Sequence, residues 1–200
     1  MTIRLDTLGW WRPWLGAHGF ALALCTTVLV PSALRVYKLD YQSLWSDEIF
    51  SLMITDPTLP FSQFWDRVLA DTHPPIYYLV VRWSSLAFGQ SELTARAPSA
   101  LFGVLTLCAV AILPGSSLSR TTRLALTLLI AASPGAAWYD REARSYALLL
   151  LLSTIITLVC LRFVRSMPYE DRKAGRAIAT LTAAAVLASF THYFGFLLEI

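Results

Sequence analysis

Long uncharged stretches alternate with short charged ones along this chain, and their lengths set the expected architecture. Residues 14–34 carry no charge apart from the titratable His18. As a helix rising 1.5 Å per residue they would cover ~30 Å, the thickness of a bilayer's hydrocarbon core. Trp10, Trp11 and Trp14, with Arg4 and Arg12, form an aromatic and basic lead-in suited to the membrane interface. Four more apolar stretches follow, at 97–119, 124–139, 145–161 and 177 to the last residue. Pro31 marks a kink or exit in the first and Pro98 the start of the second. The pattern predicts an all-α, polytopic transmembrane helix bundle of about five spans.

Between the first two spans lies the longest segment with polar content, residues 35–96, expected as a loop domain on one membrane face. Pro57 and Pro60 break it, and residues 61–69 read as a short amphipathic helix. Residues 76–88 are apolar but are interrupted by Arg82 and end at Gly89, too short to cross a membrane. They are expected as an interfacial helix, with Tyr77, Tyr78 and Trp83 at headgroup level.

Charge in the short connections orients the bundle. Arg120 and Arg123 close one turn without an acid, and Arg162, Arg165, Arg172, Lys173 and Arg176 outnumber Glu170 and Asp171 in another. The connection at 140–144 is balanced. Cytoplasmic loops collect Lys and Arg, so the N-terminus is expected inside and residues 35–96 outside.

Composition agrees with a membrane protein: 56% of the 200 residues are hydrophobic and 14% charged, with mean hydropathy +0.56. The net charge of +3 is spread between apolar runs and forms no nucleic-acid-binding patch. Cys25, Cys108 and Cys160 each stand alone in apolar sequence, giving neither a disulfide framework nor a thiolate metal site. The first apolar run lacks a small-residue cleavage site and reads as a retained anchor.

With that topology, Asp47, Glu48, His73, Tyr139, Arg141, Arg144 and His192 all fall at the outer face, drawn from four separate segments. Ionisable groups near membrane depth are costly and usually face a protein cavity. Asp47-Glu48 reads either as solvated loop acids paired with Arg35 or Lys38, or as a general base with a neighbour that orients it or a cation. Asp47 is the candidate base. His73-Pro74-Pro75 is either a stiff turn or a histidine aimed at a phosphate or metal from a rigid backbone. Arg141 and Arg144, three apart at a helix mouth, either pair internally with Asp140 and Glu142 or share a face that binds phosphate. His192 is either a polar interfacial or core histidine or a further contact.

The order Leu44-Trp45-Ser46-Asp47-Glu48, then His73-Pro74-Pro75-Ile76-Tyr77-Tyr78, then residues 91–103 (SELTARAPSALFG), resembles the N-terminal half of GT-C-fold integral membrane glycosyltransferases. Residues 139–148 (YDREARSYAL) and Thr191-His192-Tyr193-Phe194 continue it, so the likeness covers nearly all of 35–196. The group it is most similar to is the bacterial relatives of dolichyl-phosphate-mannose protein mannosyltransferases and of lipid A aminoarabinose transferases. The aminoarabinose branch has a lysine before Pro-Pro where this chain has His73, and chains of these families are longer.

The resemblance implies a multi-pass enzyme of the bacterial plasma membrane with an extracytoplasmic active site. It would move a sugar from a polyprenyl-phosphate donor to a hydroxyl on a lipid, protein or polysaccharide acceptor, inverting the anomeric carbon. Asp47 would be the base, and Arg141 or Arg144 would hold the carrier phosphate, with or without a divalent cation. A transporter or flippase of a lipid-linked substrate and an inactive membrane fragment are the competing expectations. A transporter calls for internal repeats and helices broken at the midplane, of which the sequence shows no convincing sign.

Overall fold

In the computed structural model, residues 11–113, 117–165 and 171–198 are described, with side chains for 18–113, 117–165 and 174–195. The aromatic and basic lead-in, and Glu170 to Lys173 of the basic connection, lie outside the described side chains. The described backbone is helical, without strands: α1 (Trp11–Val36), α2 (Ser46–Ile54), α3 (Phe61–Ala70), α4 (Pro75–Phe88), α5 (Glu92–Ile112), α6 (Arg120–Ala131), α7 (Pro134–Tyr139), α8 (Tyr146–Arg165) and α9 (Asp171–Ser189), then a short 3-10 helix, Tyr193–Leu198.

Among the described residues three helices are long and apolar enough to cross a membrane: His18–Val36 of α1, α5 and α8. α5 is the central one, packed against α1, α4, α6 and α8, while α9 packs on the far side of α8. On α1, Leu29 and Leu34 stay 66% and 63% exposed, the surface an apolar helix offers to lipid rather than to water.

Two expected spans take a different form. Residues 124–139 are not one helix: α6 has 12 residues, ~18 Å of rise, and a new helix starts after Ser133. Ser133 caps α7 by accepting from the Ala136 N–H, and Pro134 takes the first position, where its missing N–H costs nothing. The last apolar stretch also stops early. α9 ends at Ser189, and Thr191 turns its hydroxyl back to the Leu187 carbonyl, 2.6 Å away, so His192 follows a helix end instead of lying within a span. The apolar part of α9, Ala174–Ser189, is shorter than the other three.

α5 begins earlier than expected, capped by Ser91, whose side chain accepts from the Thr94 N–H. Pro98 therefore lies within the helix and cannot donate to the Thr94 carbonyl. Ser84 of α4 makes up the deficit, its hydroxyl donating to that carbonyl at 2.7 Å.

Residues 35–96 hold three helices, of which α2 falls where a loop is expected. α3 and α4 fall where expected. Arg82, which breaks the apolar run, is buried and holds the turn before α3, donating to the Asp56 and Leu59 carbonyls at 2.6 Å each. Its guanidinium sits over the Phe64 ring, 4.6 Å from the centroid. Trp83 is exposed as expected, but Tyr77 and Tyr78 are buried instead of lying at headgroup level. Their hydroxyls are drawn inward by Ser99 (2.7 Å) and Asp71 (2.6 Å).

The charged ends of the bundle differ. Arg120 and Arg123 lie over the Phe20 ring of α1, and Arg165 at the end of α8 donates to the Ser117 carbonyl at 2.6 Å. These arginines collect at one end. The ends of α1 and α7 and the starts of α2, α5 and α8 meet at the other.

Candidate functional site

α2 sets the two acids apart by burial. Asp47 and Glu48 occupy its first turn, where the helix dipole favours a carboxylate. The Glu48 side chain turns inward and is fully buried. One of its oxygens accepts from Arg96 Nε at 2.8 Å and from the Ala143 N–H at 2.8 Å. The other accepts from Arg96 Nη2 at 2.6 Å and from the Trp45 N–H at 3.4 Å. Arg96 spends its remaining donors on the Leu39, Gln42 and Ser43 carbonyls. This buried fork ties α2, α5, the chain after α1 and the 140–145 turn together. The acid's partner is Arg96, not Arg35 or Lys38.

Asp47 turns outward. Its side chain is 47% exposed and one oxygen lies 3.7 Å from Nη2 of Arg144, whose own side chain is 10% exposed. That guanidinium nitrogen is also 3.2 Å from His73 Nε2. On the other side of the ring, His73 Nδ1 is 3.1 Å from an oxygen of Asp71. The same oxygen accepts from the His73 N–H at 3.1 Å and from Tyr78 at 2.6 Å. Burial alone would push the Asp71 carboxyl up, but the donors from Tyr78, His73 and Thr72 hold it below its ordinary value.

His192 completes the cluster, its ring 6.2 Å from His73, 5.3 Å from Tyr146 and 4.9 Å from Phe194. Tyr139 reaches it through Tyr146, ring to ring at 4.6 Å. His192 Nδ1 accepts from the Phe194 N–H at 3.2 Å, which leaves the proton of the neutral ring on Nε2. Burial, with His73 and Arg144 nearby, holds its pKa below the ordinary imidazole value.

Asp47, His73, Arg144 and His192 thus come together, with Tyr139 at the edge. Arg141 does not join them as a phosphate fork. α8 starts only at Tyr146, so Arg141 and Arg144 sit in a turn and share no helix face. Arg141 instead gives one nitrogen to the Leu34, Arg35 and Tyr37 carbonyls and the other to that of Lys38, capping the end of α1. Asp140 is buried too, accepting from Arg35 Nε at 2.5 Å. Its carboxylate lies so close to Gly103 of α5 that a Cβ there would collide with it.

A cavity of about 700 Å³ lies on the side of Glu48, Arg96 and Arg141, walled also by Tyr37, Lys38, Tyr41, Trp45, Trp138 and Glu142; Asp47, His73, Arg144 and His192 do not line it. Burial pushes the Glu142 carboxyl up, against a hydrogen bond from Trp138. Among the described residues no three His, Cys, Asp or Glu side chains gather at metal-binding distance.

The sequence reading missed Asp71 and the role of Arg96. An acid two residues before His73 is the spacing of an Asx turn, a usable signal. Arg96 offered none, since its targets lie 48 and more positions away.

No family model, curated protein or solved structure matches this chain. The glycosyltransferase resemblance stands on the order and spacing of the quoted residues.

Proposed function

We propose that the protein transfers a sugar from a polyprenyl-phosphate carrier to a hydroxyl acceptor, inverting the anomeric carbon, with Asp47 as general base. The observation that carries this reading is the contrast between a half-exposed Asp47 and a buried Arg144 cation 3.7 Å from it. A carboxylate can then accept a proton beside a fixed positive charge able to hold a leaving phosphate. Asp47 takes the proton as the acceptor oxygen bonds to the anomeric carbon. The bond from that carbon to the phosphate oxygen breaks on the opposite face, and its electron pair leaves with the lipid phosphate. Arg144 offsets the growing charge, with or without a divalent cation, and the Nε2–H of His192 is a second donor. Glu48 and Arg141 position the backbone in this scheme.

The membrane arrangement belongs to the same proposal. α1, α5 and α8 cross a bacterial plasma membrane, α6 and α7 together make a third crossing in chain order, and α9 makes a fifth. The end that holds Arg120, Arg123 and Arg165 faces the cytoplasm with the N-terminus, and the Asp47 end faces outward.

The test is transfer from radiolabelled polyprenyl-phosphate sugars in membranes holding the wild type or Asp47→Asn at equal expression. Loss of about 10²- to 10⁴-fold is expected for the variant. Undiminished transfer would remove Asp47 as the base. No transfer by the wild type across a panel of hexose and amino-sugar donors would reject the reading.

A further inference from the structure

The row Tyr78, Asp71, His73, Arg144, Asp47 is a chain of polar contacts whose direction is set by donor and acceptor capacity. Asp71 sits at one end of the imidazole and can only accept while ionised. Arg144 sits at the other and can only donate. A neutral His73 satisfies both in one tautomer alone, with its proton on Nδ1 toward Asp71 and its Nε2 lone pair toward Arg144. The contacts are 3.1 Å and 3.2 Å.

We infer that Asp71 is a positioning residue: by fixing His73 in the Nδ1–H tautomer it leaves Nε2 to accept from Arg144, and so aims that guanidinium at Asp47 and at the phosphate of a bound donor. The phosphate half of this statement rests on the function proposed above. The tautomer half does not.

The geometry also makes the aim depend on the charge of His73. A protonated ring would turn an N–H toward Arg144, setting donor against donor and cation against cation, and Arg144 would swing off. The charged and titratable groups around His73 come from every neighbouring element. Asp71 and Tyr78 lie on the near side, with the Thr72 hydroxyl 3.4 Å from Nδ1. Arg144 lies on the far side with Asp47 behind it, and His192 and Tyr146 lie alongside. Arg144 and His192⁺ oppose a charged His73, whereas Asp71 favours it. Asn at position 71 would keep the acceptor oxygen that holds the tautomer, and Leu would remove it.

The chain holds three histidines, so imidazole nitrogen NMR of the ¹⁵N-histidine-labelled full chain in micelles is tractable. His73→Gln assigns the His73 signals. The expected result is an Nδ1–H tautomer for neutral His73 in the wild type. Asp71→Asn, which keeps an acceptor oxygen, should retain that tautomer, and Asp71→Leu should populate the Nε2–H tautomer. A cooperative thermal unfolding transition in the same detergent certifies that each variant is folded. An Nε2–H tautomer in the wild type, or a tautomer indifferent to Asp71→Leu, overturns the inference.

Transfer assays supply the second readout. Asp71→Asn, with its acceptor oxygen kept, should retain most of the wild-type rate. Asp71→Leu should lose about 100-fold at every pH, as for a misplaced charged group. Full-rate transfer by Asp71→Leu also overturns it. If no form transfers sugar, the proposed function falls, and the NMR result still decides the relay.

Discussion

Two neighbouring acids in this chain do opposite work, and burial is what separates them. Glu48 is enclosed with Arg96 and the Ala143 N–H, so truncating it strands a buried guanidinium and an orphan amide. Glu48→Ala is expected to cost about 3–5 kcal/mol of stability, the range for breaking one side of a buried ion pair. Asp47→Asn, at a half-exposed position with its partner at 3.7 Å, should change stability by no more than about 0.5 kcal/mol. Thermal unfolding of the two variants in the same detergent checks the contrast. Comparable losses would mean that Asp47 is structural as well. The sequence placed both acids at the right end of the molecule but could not rank them, because the residue that buries Glu48 arrives only with the fold. The same holds for Arg141, whose four carbonyl partners lie more than 100 positions back.

Among the helices, close approach matters more than propensity. α5 meets the 140–145 turn at Gly103, where the Asp140 carboxylate occupies the space of a side chain and is itself held by Arg35. Gly103→Ala is expected to destabilise by about 1–3 kcal/mol, since neither partner can yield cheaply. Gly135→Ala in α7, where nothing lies within 4 Å, should be neutral or slightly stabilising. Chemical denaturation of both variants tests this, and equal midpoints would deny the contact any weight. The long helices were legible from apolar run length alone. The break at Ser133-Pro134 was legible as well, as a helix-start signal, but a run of apolar residues on both sides masked it. α2 is nine residues long, too short for periodicity to reveal. Its stability comes from Glu48 and packed Leu52 rather than from pattern.

For the whole molecule the decisive question is which end faces which compartment. Arg120, Arg123 and Arg165, from the short connections, lie at one end, and the Asp47 cluster lies at the other with Arg35, Arg96, Arg141 and Arg144. With Cys25, Cys108 and Cys160 replaced by alanine, Ser62→Cys in α3 should react with an impermeant maleimide on intact spheroplasts. Thr121→Cys in α6 should react only after permeabilisation. Labelling of both from one side would reject the proposed orientation. The missing side chain at Gly103 has one more consequence. Turning α5 by a single residue along its own screw would bring Phe102 or Val104 against the Asp140 carboxylate, so the helix is keyed to one register against the turn that carries Arg144. In any motion the protein makes, α5 and that turn are expected to travel as one piece, with the hinge elsewhere.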